Sequence, residues 1–209
     1  MSDSVLKLNN VCISLDDKRL LEIDCSVGPG EILTVMGPSG SGKSSLLAYI
    51  AGFLAPAFTP SGSVLINGND ICALPAERRR IGLLFQDPLL FPHLSVGGNL
   101  RFAIAENTKD KKRLIQQGLV EIGLAGFDNR DSGTLSGGQA SRVALLRLLL
   151  SSPSAVLLDE PFSKLDTQLR QEIRTLVFDK LRASGLPTIL VTHDEADATA
   201  AGGEIHTLS

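Results

Sequence analysis

The stretch Gly37-Pro38-Ser39-Gly40-Ser41-Gly42-Lys43-Ser44 reads as G-x-x-x-x-G-K-S and decides the fold because of what flanks it. Before it, Ile32-Leu33-Thr34-Val35-Met36 is an apolar run of strand length. After it, Ser44-Ser45-Leu46-Leu47-Ala48-Tyr49-Ile50 sets apolar residues toward one face of a helix. A glycine-rich connection from strand to helix lets backbone N–H groups converge on phosphate oxygens, and the helix N-terminus adds the positive end of its dipole. Lys43 can reach the outer phosphates, the Ser44 hydroxyl suits Mg2+, and Ser45 opens the helix beside them. A tight turn that needs glycine for geometry alone would also match the pattern. Here the strand and the helix are independently present, and further nucleotide-type motifs follow in order.

With 209 residues the chain can bury a full core as one large domain, or as a core with a subdomain. A formal net charge of −3 argues against a dedicated nucleic-acid binder, and aromatic residues at 4% are too few for a single-strand stacking platform. The basic runs Arg78-Arg79-Arg80 and 109–113 read as solvated faces. Cys12, Cys25 and Cys72 form no C-x-x-C pair, and as small buried hydrophobes they imply a reducing compartment. The N-terminus lacks a charged and apolar leader pattern, and no run approaches the roughly 18 apolar residues of a membrane span. The expectation is a cytoplasmic chain whose membrane role goes through a partner.

Working outward, residues 5–13 and 20–27 read as two strands around the polar turn Asp16-Asp17-Lys18-Arg19, an antiparallel flap at the N-terminus. Beyond the first helix, Ser63-Val64-Leu65-Ile66 with Asn67-Gly68 has strand and tight-turn chemistry. Residues 75–79 suit a short helical turn, and 81–85 suit a buried strand ending at Gln86. Between 87 and 134 the character becomes polar and helix-forming, with Ser95 capping one helix to about 104 and Asp110 another to about 122. From Ser136 the sequence predicts a helix over 137–150, a strand over 155–158, a helix over 167–182 and a strand over 188–192. The fold class expected is α/β: a mostly parallel sheet covered on both faces, with the β flap and an inserted helical subdomain. Residues 1–86 and 135–209 form the core, and 87–134 the subdomain.

Further constellations join the phosphate loop. Ala155-Val156-Leu157-Leu158 delivers Asp159 and Glu160 at a strand's C-terminal end, where ligands bind in open α/β sheets. Asp159 suits Mg2+, and Glu160 suits a water attacking phosphorus. Leu135-Ser136-Gly137-Gly138-Gln139 is a second glycine-rich loop opening a helix. It offers N–H groups and a hydroxyl to an anion, although S-G-G on its own is more often a plain helix cap. Thr192-His193-Asp194 follows the last predicted strand, where an imidazole can reach a terminal phosphate.

Taken together, Gly37 to Ser44, Gln86, Leu135 to Gln139, Asp159-Glu160, Ser163-Lys164-Leu165-Asp166 and His193 resemble the nucleotide-binding subunit of an ABC transporter, a P-loop NTPase. In that family these positions are the Walker A loop, the Q-loop glutamine, the signature motif, Walker B with its catalytic glutamate, the D-loop and the H-loop histidine. The stretch from Phe85 to Val96 is similar to ATPases of bacterial binding-protein-dependent importers.

The resemblance implies ATP and Mg2+ as cofactors, with Glu160, His193, Gln86 and Lys43 catalytic. It implies nucleotide contacts from Gly37, Pro38, Ser39, Gly40, Ser41, Gly42, Lys43, Ser44, Ser45, Ser136, Gly137, Gly138, Gln139 and Asp166, and metal contacts from Ser44, Gln86 and Asp159. The implied partners are a second copy of the chain with ATP sandwiched between the two, integral membrane permease subunits, and an extracytoplasmic solute-binding protein acting indirectly; nucleic acid is not among them. The location implied is the cytoplasmic face of the cell membrane. The sequence departs from the family pattern where an aromatic residue stacks on adenine, a place that falls near Leu15, with no aromatic residue before Tyr49. Ala140-Ser141 stands where polar, often basic residues are commoner in that family, and a C-terminal regulatory domain is not expected. Alternatives to an importer ATPase are an exporter subunit, a soluble ABC-type ATPase and a non-hydrolysing nucleotide switch. An intact Lys43, Glu160 and His193 count against the last.

Overall fold

A computed structural model describes residues 4–16 and 18–208. The chain forms two compact units, one of Met1–Leu83, Ser154–Glu160 and Phe178–Ser209, the other of Leu84–Pro153 and Pro161–Val177.

The first unit begins with the hairpin β1 (Leu6–Leu15) and β2 (Lys18–Val27), paired from Leu6 opposite Val27 to Leu15 opposite Lys18, with register shifts between Leu8 and Val11 and between Ile13 and Ser14. Of the predicted polar turn, Asp17 lies outside the described residues. Leu6 and Leu8, and beyond the irregularity Val11 and Ile13, are buried while their neighbours are more exposed, the period of two of a half-buried strand interrupted once at Asn9 and Asn10. β3 (Ile32–Met36) leads into α1 (Lys43–Ala51) through the phosphate loop. The predicted flap is larger than a hairpin: β4 (Phe58–Ile66) pairs antiparallel with β1, and β5 (Asn69–Asp70) folds back on β4, giving the order β2-β1-β4-β5. Asn67 and Gly68, at φ 52 and 78, make the tight turn between β4 and β5.

The second sheet comprises β6 (Ile81–Phe85), β7 (Ala155–Asp159), β8 (Thr188–Val191), β3 and β9 (Ile205–Thr207), in the order β6-β7-β8-β3-β9. β7 with β8, β8 with β3, and β3 with β9 run parallel. Leu33, Val35, Leu157 and Ile189 of this sheet share one apolar core with Leu8, Ile13, Ile23 and Val64 of the flap and with Leu46, Leu47 and Ile50 of α1. Before β9 comes α6 (Glu195–Ala201). Neither element was expected from the sequence, because the Ala- and Gly-rich stretch after Asp194 carries little apolar period.

In the second unit, α2 (Val96–Ala103), α3 (Lys111–Glu121) and α4 (Gly137–Leu150) bury Val96, Leu100, Ile115, Leu119, Val143 and Leu146 together. Ser95 caps α2 as expected, accepting from the Gly98 N–H. Asp110 does not cap α3 through its side chain: it sits at φ 55 and makes no such bond. The unit also receives the start of α5 (Thr167–Ala183). Among the described residues, no helix is long and apolar enough to cross a membrane.

Two expectations are corrected in the first unit. Arg79 is buried at 7% exposure, not solvated, because its guanidinium bonds four backbone carbonyls. Cys12 and Cys72 are only half-buried, whereas Cys25 is buried.

Candidate phosphate-binding site

The phosphate loop, Asp159, Glu160 and His193 all belong to the first unit. β3 is buried from Ile32 to Val35, and the chain then turns through Gly40 and Gly42, at φ 85 and 86, before α1 starts at Lys43. Gly42 has a second reason to lack a side chain. A Cβ there would lie 2.8 Å from Cδ2 of Leu21 and 3.3 Å from Cβ of Leu20, so the loop rests directly on β2.

Lys43 is 8% exposed, and its Nζ donates to the carbonyls of Gly37 at 2.8 Å and Pro38 at 2.7 Å, folding the ammonium back over the loop. Oγ of Ser41 is buried without a hydrogen-bond partner. Such an orphan costs about 1–3 kcal/mol until a partner arrives, and a phosphate oxygen entering the loop would supply one. Pro38, Ser39 and Gly40 are exposed on the open side.

The Ser44 side chain hydrogen-bonds Asp159 at the end of β7. Burial, and then the neighbouring Glu160 charge, raises the Asp159 carboxyl above its ordinary range, while Ser44 and Lys43 oppose the shift. One hydroxyl and one carboxylate therefore meet beside an ammonium. Among the described residues, no group of three His, Cys, Asp or Glu side chains gathers to hold a metal by itself. The donor set fits Mg2+, which takes one or two protein oxygens and completes its shell from phosphate and water.

Glu160 leaves β7 at φ 46, a left-handed conformation that costs a non-glycine residue roughly 1–3 kcal/mol. Its N–H donates to the Val191 carbonyl at 2.9 Å. Its carboxylate oxygen Oε1 lies 3.0 Å from Nδ1 of His193. The imidazole is presented from a stiff turn. Thr192 is buried and its Oγ1 accepts from the Asp194 N–H at 3.1 Å, while Asp194 Oδ1 accepts from the N–H groups of Ala196 and Asp197 to start α6.

The remaining sequence-identified residues lie in the second unit. Gln86 is exposed in the bend after β6. Oγ of Ser136 accepts from the Gln139 N–H at 3.3 Å, and Oε1 of Gln139 accepts from the Ser136 N–H at 3.1 Å, a reciprocal cap on α4. The ordinary capping role of S-G-G is thus present, with the positive end of α4 directed past Ser136. Gly138 is glycine for packing: a Cβ would fall 2.6 Å from Cδ1 of Leu169. Oδ1 of Asp166 accepts from the Leu169 N–H at 3.1 Å at the start of α5.

Arg79 escaped the sequence reading. It donates from Nη1 to the Tyr49 and Ile50 carbonyls at 2.7 and 3.0 Å, from Nη2 to Cys72 at 2.7 Å and from Nε to Leu74 at 2.8 Å. A cation thus holds the C-terminal carbonyls of the helix whose N-terminus is the phosphate loop. Nothing in the local sequence separates it from Arg78 and Arg80. Leu208 also went unnoticed, although its N–H donates to Met36 at 2.8 Å beside Gly37. The Asp194-x-x-Asp197 pattern could have signalled the helix that leads to it.

The ABC transporter family profile matches residues 20–163. The chain is 46% identical over 199 residues to an uncharacterized ABC transporter ATP-binding protein of Escherichia coli (strain K12), YnjD, covering 94% of this chain and 92% of that one. It is 44% identical over 194 residues to an Fe(3+) ions import ATP-binding protein, FbpC, of Mesorhizobium japonicum, covering 89% and 52%. It is 42% identical over 181 residues to a thiamine import ATP-binding protein, ThiQ, of Jannaschia sp., covering 85% and 78%. Against import relatives such as FbpC, the chain spans about half the length. Among solved structures, CbiO1 of Clostridium perfringens, part of the ABC transporter complex CbiONQ, is similar with a TM-score of 0.84 and 28% identity, covering 99% of this chain and 85% of that one.

Proposed function

The chain belongs to the ABC transporter family, and from that premise we propose that it is the ATP-hydrolysing subunit of an importer, driving solute passage through a separate membrane permease. The observation that carries the proposal is the Glu160–His193 pair, 3.0 Å apart, standing in the same unit as the Ser44–Asp159 pair and the folded-back Lys43. That combination supplies phosphate binding and a positioned base together, which a passive nucleotide switch does not need.

The phosphates of ATP lie against the N–H groups of Ser39 to Ser45, with Lys43 transferring its ammonium from the loop carbonyls to the outer phosphate oxygens. Ser44 and Asp159 are the residues that would hold Mg2+, which when bound neutralises charge developing on the phosphoryl oxygens. Glu160 orients a water and takes its proton as the oxygen bonds to the γ-phosphorus and the bond to the ADP oxygen breaks. His193 keeps Glu160 aimed and offers an N–H toward the γ-phosphate.

Two copies pair head to tail, each ATP lying between the phosphate loop of one and Ser136, Gly137, Gly138, Gln139 and Asp166 of the other. Gln86 and the segment 87–134 relay the nucleotide state to the permease on the cytoplasmic face of the membrane. An extracytoplasmic solute-binding protein acts through the permease without touching this chain. Import is favoured by the names that similar proteins carry.

The test is purification of the tagged chain from membranes. Integral membrane permease subunits should accompany it, and ATP hydrolysis by that complex should rise when a loaded solute-binding protein is added. Recovery with soluble assembly factors alone would reject the transport role, and absence of phosphate release would reject the ATPase role.

A further inference from the structure

The side chain of His193 is 63% exposed, so packing does not hold the imidazole in place. Its aim rests on the 3.0 Å contact with Glu160 and on the backbone that carries it. A carboxylate with no part in the chemistry stands behind that backbone. Asp197 is 2% exposed, the one acidic residue among the described residues that the fold buries. A carboxylate taken out of water is costly unless its oxygens are met by donors.

Capping of α6 does not account for it. Asp194 is the N-cap, its Oδ1 accepting from the N–H groups of Ala196 and Asp197 at 2.8 and 3.2 Å. Exposed Glu195 already sets a negative charge in the first turn, where the helix dipole favours one. The Asp197 side chain instead meets Thr192, which is also 2% exposed. The Thr192 hydroxyl donates to Oδ2 of Asp197 at 3.4 Å and accepts from the Asp194 N–H at 3.1 Å.

Thr192, Asp194 and Asp197 are therefore each bonded to the other two, and both chain neighbours of His193 belong to this ring. A carboxylate oxygen accepts, so it draws the hydroxyl hydrogen toward Asp197 and leaves the Thr192 lone pair for the Asp194 N–H. The ring is tied down at both ends. The Thr192 N–H donates to the Val35 carbonyl of β3 at 3.3 Å, shortly before the phosphate loop, and the Ala198 N–H donates to the Asp194 carbonyl at 3.1 Å in α6. The turn that presents the imidazole thus hangs on the strand that carries the phosphate loop.

We infer that Asp197 is a positioning residue of the ATPase site, acting through the Thr192 hydroxyl to fix the turn that aims His193 at Glu160. This deepens the reading of Glu160 and His193 above and rests on it.

The test is phosphate release by the full chain purified from membranes, followed across ATP concentrations. Thr192→Val removes the hydroxyl at nearly constant volume, and Asp197→Ala removes the carboxylate. Each should lower kcat about three- to tenfold while KM for ATP stays at the wild-type value, as expected when a reacting group is displaced beside an intact phosphate loop. Thr192→Ser and Asp197→Asn, which keep a hydroxyl and an acceptor oxygen, should recover most of the loss. In a His193→Ala background, Asp197→Ala should cost nothing further, because the ring then has no imidazole to aim. Thr192→Val completes the same cycle if Asp197→Ala does not fold. Wild-type kcat in Thr192→Val and Asp197→Ala, or an equal loss with and without His193, would overturn the assignment of Asp197. Wild-type kcat in His193→Ala itself would instead overturn the Glu160 and His193 reading on which it rests.

Discussion

Nδ1 of His193 lies 3.0 Å from Oε1 of Glu160, although the two residues are 33 positions apart in the chain. Their meeting follows from the sheet. β7 and β8 are parallel neighbours with Asp159 opposite Val191, so the residues just beyond each strand emerge side by side. Glu160 then turns at φ 46 while its N–H is held by Val191, and the carboxylate comes to face the imidazole.

If Glu160 orients and deprotonates the water, Glu160→Gln should retain ATP binding while hydrolysis falls by about two orders of magnitude or more. His193→Ala should lower hydrolysis by about tenfold or more. If the imidazole acts through the carboxylate, the double variant should be no slower than Glu160→Gln alone. Phosphate release under saturating ATP reads all three, and multiplicative losses would show that the two side chains act separately.

Arg79 holds four carbonyls in the first unit, and Arg79→Ala would strand them, so unfolding should become easier by about 3 kcal/mol or more. For a chain of this size that lowers the melting temperature by roughly 6–12 °C. Arg79→Lys should recover little, since a single ammonium cannot span the four acceptors. Exposed Arg78 is the control, and its replacement by Ala should change stability by less than about 0.5 kcal/mol. Equal effects at Arg78 and Arg79 would show that the buried bonds contribute nothing specific.

The proposed pairing of two chains can be tested with two differently tagged chains, one carrying Ser41→Cys and the other Leu135→Cys, each with Cys12, Cys25 and Cys72 replaced by Ala and with Glu160→Gln to retain ATP. A disulfide forms only when Cα atoms come within about 7 Å. A mixed covalent dimer should appear on oxidation with MgATP, and neither chain alone should yield it. Its absence both in solution and in the permease-bound state would exclude the head-to-tail arrangement.

Burial pushes the Cys25 thiol up to about 12, with the Glu204 and Asp24 charges adding to the shift and a backbone hydrogen bond at Leu8 opposing it. In the unfolded chain the thiol ionises near about 8.5. The folded state therefore holds its proton where the unfolded state has lost it. The stabilisation is complete below about pH 8.5 and declines as pH climbs toward 12. Urea midpoints between pH 7 and 10.5 should fall less steeply for Cys25→Ala than for the wild type. In the native protein, thiol reagents should leave Cys25 unlabelled while reaching half-buried Cys12. Rapid labelling of Cys25 would show that the flap opens far more often than its packing implies.

The helix bounds were legible where a local signal was complete. Ser136 followed by Gly137-Gly138-Gln139 announces its own cap, and the α4 range matches the expected one because both halves of that cap lie within four residues. The strand over 155–158 and the helix over 167–182 each came within one residue, on apolar runs and periodicity alone. β9 was not legible, because Ile205-His206-Thr207 has no alternation and becomes a strand only through the open edge of β3. Phe58 likewise looks like a loop residue until pairing with β1 carries the strand out to it.

By itself the sequence determined whatever is written in backbone preference and spacing: glycines where φ must be positive, a lysine and serine at the mouth of the loop, and carboxylates after an apolar run. Those are short-range effects, and neighbouring residues suffice to specify them. Only the tertiary structure decided which of three adjacent arginines is buried, why Gly138 must lack a side chain against Leu169, and which imidazole meets Glu160. Those outcomes depend on which distant carbonyl, methyl or carboxylate the fold brings within a few ångströms, and residues identical in local preference are separated only by that contact.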